Sequence, residues 1–126
     1  MIEPTAGPAA DSLALARQVA AVLEEHKASD IVLLDLRPEG LIADFFVIAS
    51  GSSARQLRAL SEHIQEGARQ QAGRRIMLHR EGEATSGWIL LDYGAVIVHL
   101  FLPEQRAYYD LESLWEPATQ LLLKIQ

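Results

Sequence analysis

Residues 87–102 have the sequence GWILLDYGAVIVHLFL, which is the strongest structural signal in the chain. Two almost entirely apolar runs, 88–91 and 96–102, flank the break Asp92-Tyr93-Gly94-Ala95. Glycine adopts positive φ without steric cost, and aspartate favours turns. The pattern therefore predicts a β-hairpin of two buried strands.

The segments on either side of this hairpin predict helices and further strands. Apolar residues at helical spacing predict one helix that begins at Asp11 or Ser12 and a longer one over about 54–72. Continuous apolar runs predict two buried strands, 30–36 and 45–50. The remaining predicted segments are a short strand at 76–78, a polar loop at 81–87, helical turns at 104–115 and an amphipathic segment after Pro117.

Together these elements predict an α/β fold, a mixed sheet of about five strands with helices packed on it. The chain has 126 residues, of which 49% are hydrophobic, and this suits a single core. Residues 1–11 are rich in Pro, Gly and Ala and are expected to form a flexible leader. Residues 12–126 are expected to form one domain.

Composition also limits the location and the chemistry. The chain contains no cysteine, which excludes disulfides and thiolate metal sites and fits a reducing compartment such as the cytoplasm. Residues 1–10 lack the basic start and apolar stretch of a signal peptide. No apolar run approaches the roughly 18 residues needed to span a bilayer, so no membrane association is expected.

The charge balance argues against a nucleic-acid partner. Eleven Lys and Arg face seventeen Asp and Glu, which gives a net charge of −6, and the basic residues are scattered. Nucleic-acid binders usually carry a clustered basic footprint. Little or no direct nucleic-acid binding is therefore expected, whereas a basic protein partner would be attracted over a long range.

One motif has two possible roles. Gly51-Ser52-Ser53 lies between a predicted strand and a predicted helix, where backbone N–H groups and the helix dipole can hold an anion. The motif also resembles the Gly-Ser step of nucleotidyltransferases. Alternatively, it is a tight turn followed by an ordinary N-cap.

The titratable residues predict no catalytic or metal site. Two-metal chemistry needs converging carboxylates, and no Asp-x-Asp pair lies on a predicted strand. The histidines lack ligand spacing, and no serine is paired with a histidine and an acid. We therefore expect no catalytic residue, no metal and no cofactor. The residues considered are Asp30, Asp35, Asp44, Asp92, His26, His63, His79 and His99. His99 shares a sheet face with Ile97 and Phe101, so either a satisfied buried histidine or an interface or pH-sensitive role fits it.

The aromatic residues offer a different kind of site. They either close one end of the core, with their polar atoms at the water boundary, or form a docking patch for a macromolecule. Trp, Tyr and Arg dominate interface hot spots, and Arg106 adjoins the aromatics, so a docking patch fits this segment as well as a core cap does. The candidate partner-binding residues are Trp88, Tyr93, Arg106, Tyr108, Tyr109, Leu111, Glu112 and Trp115.

Four segments carry a resemblance to a known family. They are DFFVIASGSSARQ at 44–56, GWILLDYG at 87–94, VHLF at 98–101 and RAYYDLESLW at 106–115. In this order they resemble the ribosomal silencing factor S family, also called Iojap, over about residues 12–118. The family usually has Thr or Ser before Asp44 and Asp after Gly94, whereas this chain has Ala43 and Ala95.

The resemblance implies a nucleotidyltransferase-like topology that lacks the catalytic acids. It also implies a non-enzymatic translation repressor that binds the fourteenth protein of the large ribosomal subunit and blocks joining of the small subunit when nutrients are scarce. A homodimer is implied as well. Two alternatives stay open: a nucleotidyltransferase-like nucleotide-binding protein that uses Gly51-Ser52-Ser53 and Asp92, and an assembly factor for the large subunit.

Overall fold

The computed structural model describes residues 8–38, 43–70, 77–115 and 120–125, with backbone alone for 8–11, 114–115 and 120–122. The helices are α1 (Pro8–Glu25), α2 (Ala54–Gln70), α3 (Pro103–Tyr109) and α4 (Leu111–Trp115). A 3₁₀ turn spans Ala84–Ser86. The strands are β1 (Ser29–Asp35), β2 (Phe45–Ser50), β3 (His79–Glu83), β4 (Trp88–Asp92), β5 (Val96–Phe101) and β6 (Gln120–Ile125).

These strands form one mixed sheet in the order β3-β4-β5-β2-β1-β6. Strands β2 and β5 pair in parallel, and the other neighbours pair antiparallel. The predicted hairpin is confirmed: β4 pairs with β5, with Trp88 opposite Phe101 and Asp92 opposite Ile97. The α/β fold with a mixed sheet is confirmed too, although the sheet has six strands rather than five.

The additional strand and several boundaries differ from the sequence predictions. Strand β6 pairs with β1 at one edge, in the segment that was predicted only as amphipathic. At the other edge the strand is β3, which begins one residue after the strand predicted at 76–78 and takes the first three residues of the loop predicted at 81–87; residue 76 lies outside the described residues. Helix α1 begins at Pro8, three residues before the earlier of its two predicted caps. Helix α2 begins at Ala54, as predicted, and residues 71–72 of the predicted helix lie outside the described residues.

The main core lies between one face of the sheet and helices α1 and α2. Leu15, Leu23, Leu57 and Ile64 from the helices are fully or almost fully buried against the strands. This burial follows from the amphipathic spacing of both helices, whose apolar stripes face the sheet. The alternating residues of the hairpin that face this core are Ile89, Leu91, Val96, Val98 and Leu100.

The opposite face of the sheet carries a second apolar cluster. It contains Phe46, Ile48, Ile97 and Phe101, with Trp88, Leu90 and Leu111 packed against it in part. Because successive strand residues point to opposite faces, each buried strand contributes to both clusters. Within the described part of the chain, no helix is long and apolar enough to cross a bilayer.

Candidate docking surface

Five rings form a continuous aromatic ledge on the second face of the sheet, at the end where β4 begins. The rings of Trp88, His99 and Phe101 are nearly parallel, with centroids 6.1–6.3 Å apart. Tyr109 leans on Trp88 at 5.6 Å and on Phe101 at 5.9 Å. Tyr108 meets Tyr109 edge to face at 5.1 Å. We call Trp88, His99, Phe101, Tyr108 and Tyr109 the aromatic ledge.

Exposure rises steadily across the aromatic ledge. Phe101 is 1% exposed and His99 is 5% exposed, Trp88 is partly buried, and Tyr109 and Tyr108 are 48% and 81% exposed. The buried rings anchor the exposed ones, because aromatic contacts at these distances add attraction beyond the area they bury. The ledge therefore presents two tyrosines to solvent on a packed aromatic base.

Local sequence features explain why α3 lies over this end of the hairpin. Gly87 has φ +86°, a conformation that L side chains rarely adopt, and a Cβ there would lie 2.5 Å from Oε1 of Gln105 on α3, so another residue would be strained and would displace the Gln105 side chain. The N–H of Leu102 donates to the carbonyl of Gly87 at 2.9 Å. Pro103 then occupies the first turn of α3, where its missing N–H costs nothing.

A sharp bend separates α3 from α4. Asp110 has φ +46°, in the left-handed region that Asp tolerates better than most residues, and its N–H donates to the carbonyl of Arg106 at 2.9 Å. The bend ends α3 directly after Tyr109 and lets α4 turn back. As a result Leu111 packs partly against the second cluster.

Arg106 lies behind the ledge and faces inward. Its Nε and Nη2 donate to Glu112 at 3.2 and 2.7 Å, and its Nη1 donates to the Asp30 carbonyl at 2.5 Å and to Ser50 Oγ at 2.9 Å. The Arg106 side chain is only 12% exposed. The sequence predicts Arg106 as a partner-binding residue, but the structure directs all three nitrogens of its guanidinium to other residues of this chain.

His99 is the buried titratable group of the ledge. Trp88 Nε1 donates to His99 Nδ1 over 3.4 Å, so the neutral ring carries its proton on Nε2. Nε2 has no hydrogen-bond partner among the described residues. Burial disfavours the charged form and lowers the pKa of His99 to about 4. Phe46 closes the other side at 4.7 Å, edge to face.

The structure brings some of the predicted binding residues together and separates one. Trp88, Tyr108 and Tyr109 belong to the ledge, and Arg106 and Glu112 pair behind it. Tyr93 is 6% exposed and lies in the main core, on the opposite face of the sheet. The alternation of side chains along β4 predicts this position for Tyr93, because Ile89, Leu91 and Tyr93 are two residues apart and therefore share one face of the sheet. Trp115 ends α4, and its side chain lies outside the description.

Phe101 and His99 also belong to the ledge; the sequence predicts no binding role for Phe101 and offers an interface role for His99 only as one of two possibilities. The same alternation identifies both, since they share their face with Ile97 and lie opposite Trp88 and Leu90.

Gly51-Ser52-Ser53 forms a helix cap. Ser53 Oγ accepts from the N–H of Gln56 at 3.1 Å, and Gln56 Oε1 accepts from the N–H of Ser52 at 2.6 Å. This reciprocal arrangement is close to a capping box. Gln56 Nε2 also donates to the carbonyl of Lys27 at 3.2 Å, which ties the cap to the end of α1. Of the two roles considered for this motif, the geometry supports the N-cap.

The acidic residues near the strands have structural contacts. Asp35 is 3% exposed and makes a bidentate ion pair with Arg37, and this hydrogen bonding holds its pKa below the usual value. Asp92 Oδ1 accepts from the N–H of Gly94 at 2.7 Å and stabilises the hairpin turn. In the ranges for which side chains are described, no three His, Asp or Glu residues group closely enough to hold a metal ion.

Comparison with known proteins gives a consistent result. Residues 9–126 match the family model described as "Ribosomal silencing factor during starvation". The ribosomal silencing factor of Halalkalibacterium halodurans is 38% identical over 103 residues, which cover 81% of this chain and 86% of that protein. The mouse mitochondrial assembly of ribosomal large subunit protein 1 is 35% identical over 95 residues, which cover 75% of this chain and 42% of that protein.

The fold is shared with a solved structure as well. A protein of Chromobacterium violaceum, solved by X-ray crystallography, superposes with a TM-score of 0.77 at 32% identity. The match covers 82% of this chain and 85% of that one.

Proposed function

This chain belongs to the ribosomal silencing factor family, and we infer that it represses translation by binding the large ribosomal subunit. The site of binding in this proposal is the fourteenth protein of that subunit, on the face that meets the small subunit. The bound protein then blocks joining of the two subunits sterically when nutrients are scarce. Such a block needs occupancy and bulk, so no catalytic group is required.

The aromatic ledge is the observation that supports a docking role most directly. Tyr108 and Tyr109 are exposed, yet Tyr109 rests on Trp88 and Phe101, which the hairpin holds in place, and Tyr108 contacts Tyr109 edge to face. Rigid aromatic side chains lose little conformational freedom on binding, and interface hot spots are enriched in Trp and Tyr. A packed and accessible tyrosine pair therefore fits an anchor for a macromolecular partner.

The proposal divides the predicted binding residues by role. Tyr108 and Tyr109 contact the partner, and Leu111 and Trp115 of α4 are proposed as further contacts. Trp88 supports Tyr109, which in turn contacts Tyr108, and the Arg106–Glu112 pair supports α3, which carries both tyrosines. Tyr93 stabilises the hairpin from the main core and does not contact the partner.

The negative net charge of the chain favours its association with a basic ribosomal protein. The chain carries a net charge of −6, and the ribosomal protein of this proposal is basic, so the two attract each other over a long range. The rate of association is then expected to fall as salt rises, because mobile ions screen exposed charges over about 8 Å at physiological ionic strength. Direct contact with ribosomal RNA is expected to contribute little.

Two measurements test this function. Purified large subunits should retain the protein in co-sedimentation, and light scattering should show less joining of small to large subunits when the protein is present. The matched control is Leu78→Ala, which removes another exposed apolar side chain, 68% exposed, at the opposite end of the hairpin. If the protein stays in the supernatant, the proposal is wrong.

One relative favours a second candidate function. The mouse homologue is named for assembly of the mitochondrial large subunit, and that activity does not require a block of joining. Light scattering separates the two candidates. An assembly factor would bind large subunits and leave their joining to small subunits unchanged, whereas a repressor would reduce it.

Two further features belong to the same proposal. We expect a homodimer, which sedimentation equilibrium at micromolar concentration would detect as twice the mass of the 13.9 kDa chain. We also place the protein in the cytoplasm, where ribosomal subunits join, and fractionation of cells would test this.

A further inference from the structure

Arg106 connects parts of the chain that are distant in sequence. Its hydrogen bonds reach Asp30 at the start of β1, Ser50 at the end of β2 and Glu112 in α4. The Asp30 carbonyl is 76 residues away in sequence. It lies where the pairing of β1 with β2 shifts register, and Asp30 itself has φ +50°. The irregularity in β1 thus leaves a carbonyl that Arg106 reaches.

Helices α3 and α4 need such a tie because they are short. They have 7 and 5 residues, far below the roughly 12–15 residues at which isolated helices become even marginal in water. Their order must therefore come from contacts with the rest of the fold. Arg106 lies on α3, Glu112 lies on α4, and the bend at Asp110 lies between them. The ion pair thus closes the bend between the two helices, and the hydrogen bonds of Arg106 to Asp30 and Ser50 fix them to the sheet.

We propose that the Arg106–Glu112 pair is a positioning device that holds Tyr108 and Tyr109 in their docking geometry, and that Arg106 does not itself contact the partner. This inference rests on the proposed function for its docking part. Both tyrosines lie within three residues of Arg106 on α3. Fixing them before the encounter lowers the conformational entropy lost on binding, which raises affinity without adding a contact.

The first test uses the free protein, so its result does not depend on the ribosome. Amide hydrogen exchange is followed at the N–H of Asp110, which donates to the Arg106 carbonyl, and at the N–H of Leu57 in α2 as an internal reference. Arg106→Gln and Glu112→Gln should each accelerate exchange at Asp110 by about tenfold or more and leave Leu57 unchanged, because a local opening becomes easier. Unchanged exchange at Asp110 in both variants would overturn the proposal.

A second ion pair provides matched controls. Arg69 and Glu66 pair on the surface of α2, with side chains 65% and 52% exposed. Arg69→Gln and Glu66→Gln make the same changes in net charge as the two test variants. These controls should leave exchange at Asp110 unchanged, because an exposed pair contributes little to order elsewhere.

The second test measures affinity for the large subunit in a double-mutant cycle. Arg106→Gln and Glu112→Gln should each weaken binding by about tenfold. The double variant should bind no more weakly than the weaker of the two single variants, because each change already breaks the same ion pair. Arg106→Lys should not rescue binding, since a lysine cannot reproduce the bidentate fork to Glu112. The affinity of Arg106→Gln and of Glu112→Gln should depend on salt concentration as the affinity of the wild type does.

Three results would contradict the positioning role. In the first, Glu112→Gln binds with wild-type affinity, whereas Arg106→Gln binds weakly and its affinity depends less on salt. That result would make Arg106 a direct contact with the partner. Another is faster exchange with unchanged affinity, which would make the device irrelevant to docking. The third is a wild-type protein that does not bind large subunits. That result would refute the proposed function and the docking role with it, while the exchange data would still decide whether the pair holds α3 and α4.

Discussion

The indole of Trp88 and the phenol ring of Tyr109 lie 5.6 Å apart, although one begins a strand and the other ends a helix. The hairpin fixes Trp88 opposite Phe101, and α3 brings Tyr109 down onto both rings. Trp88 is therefore a support and the tyrosines are the accessible part of the aromatic ledge. This division of roles predicts different consequences for substitutions at the two positions.

Tyr108→Ala should separate binding from stability. Tyr108 is 81% exposed, so its truncation should change the free energy of unfolding by less than about 0.5 kcal/mol. Binding to the large subunit should weaken by about 2 kcal/mol, the size of a hot-spot truncation. Urea unfolding and co-sedimentation measure the two quantities. Wild-type affinity in a normally folded variant would exclude Tyr108 as an anchor.

Trp88→Ala should lower both the free energy of unfolding and the affinity for the large subunit. Because Trp88 contacts His99, Phe101 and Tyr109, its removal leaves a cavity beneath the ledge, and we expect a loss of about 3 kcal/mol in the free energy of unfolding. Affinity for the large subunit should fall by about 2 kcal/mol or more, because Tyr109 loses its support. A stability loss without any loss of affinity would show that the tyrosines do not depend on Trp88.

Gly82→Ala should destabilise the edge of the sheet at β3. Gly82 has φ +87°, and a Cβ there would lie 2.1 Å from the carbonyl oxygen of Trp88, so backbone must move. A loss of about 3 kcal/mol is expected from the combined strain and overlap. Gly94→Ala is the matched control: it has the same φ, but its Cβ would meet only Leu78 Cδ1, at 3.3 Å. Equal losses in the two variants would show that the overlap at Gly82 is absorbed without cost.

Acidification should destabilise the fold through His99. In the unfolded chain this group has a pKa near 6.5, and in the folded chain a pKa of about 4. As pH falls from 6.5 to 4 the unfolded state gains a proton that the folded state does not, so stability is lost over this window, by about 3 kcal/mol in total. Protonation at Nδ1 would also end the hydrogen bond from Trp88.

The rings that contact His99 are those of Trp88, Phe46 and Phe101, and its partners on the neighbouring strands are Ile48 and Leu90; none of these side chains titrates. Urea unfolding of the wild type and of His99→Gln between pH 7 and 4 isolates the effect. The variant should lose less stability over this range. Asp35 contributes in a separate window, because its lowered pKa places its loss of stability below pH 3.8. Parallel curves for the two proteins would show that His99 does not sense pH.

Ser53→Ala tests the role of the Gly51-Ser52-Ser53 motif. Loss of the bond from the N–H of Gln56 to Ser53 Oγ should cost about 1 kcal/mol of stability, as for other N-caps. Affinity for the large subunit should not change. Calorimetry with ATP and Mg²⁺ tests the alternative, a nucleotide site. Heat of binding in the wild type that disappears in Ser52→Ala would favour a nucleotide site over a cap.

The sequence predicted most of the fold because its buried strands are long and apolar. The hairpin, β1 and β2 are continuous apolar runs with turn residues at their ends, and the period of α2 is unambiguous. Strand β3 has the sequence HREGE and is mostly exposed, so it lacks any apolar pattern. It forms because its backbone pairs with β4 at the edge of the sheet, and this pairing leaves no mark in local sequence.

The sequence also predicts part of the candidate site, because composition and strand alternation identify its aromatic residues. The aromatic residues of α3 and β4 stand out in composition, and alternation along a strand assigns each to a face. The inward direction of Arg106 was not predictable, because its acceptors at Asp30 and Ser50 come from distant strands. Nearness in sequence groups Tyr93 with the other aromatic residues, whereas its alternation with Ile89 and Leu91 places it in the main core.

The central claim is that the protein acts as a steric block held by the exposed tyrosines. Light scattering during the joining of purified subunits tests it most directly, with the large subunits incubated beforehand with wild-type protein, Tyr108→Ala or Leu78→Ala. We predict that the wild type and Leu78→Ala reduce the joining amplitude in proportion to occupancy, and that Tyr108→Ala does not at the same concentration. Full joining at saturating occupancy of the large subunit by wild-type protein would contradict the account.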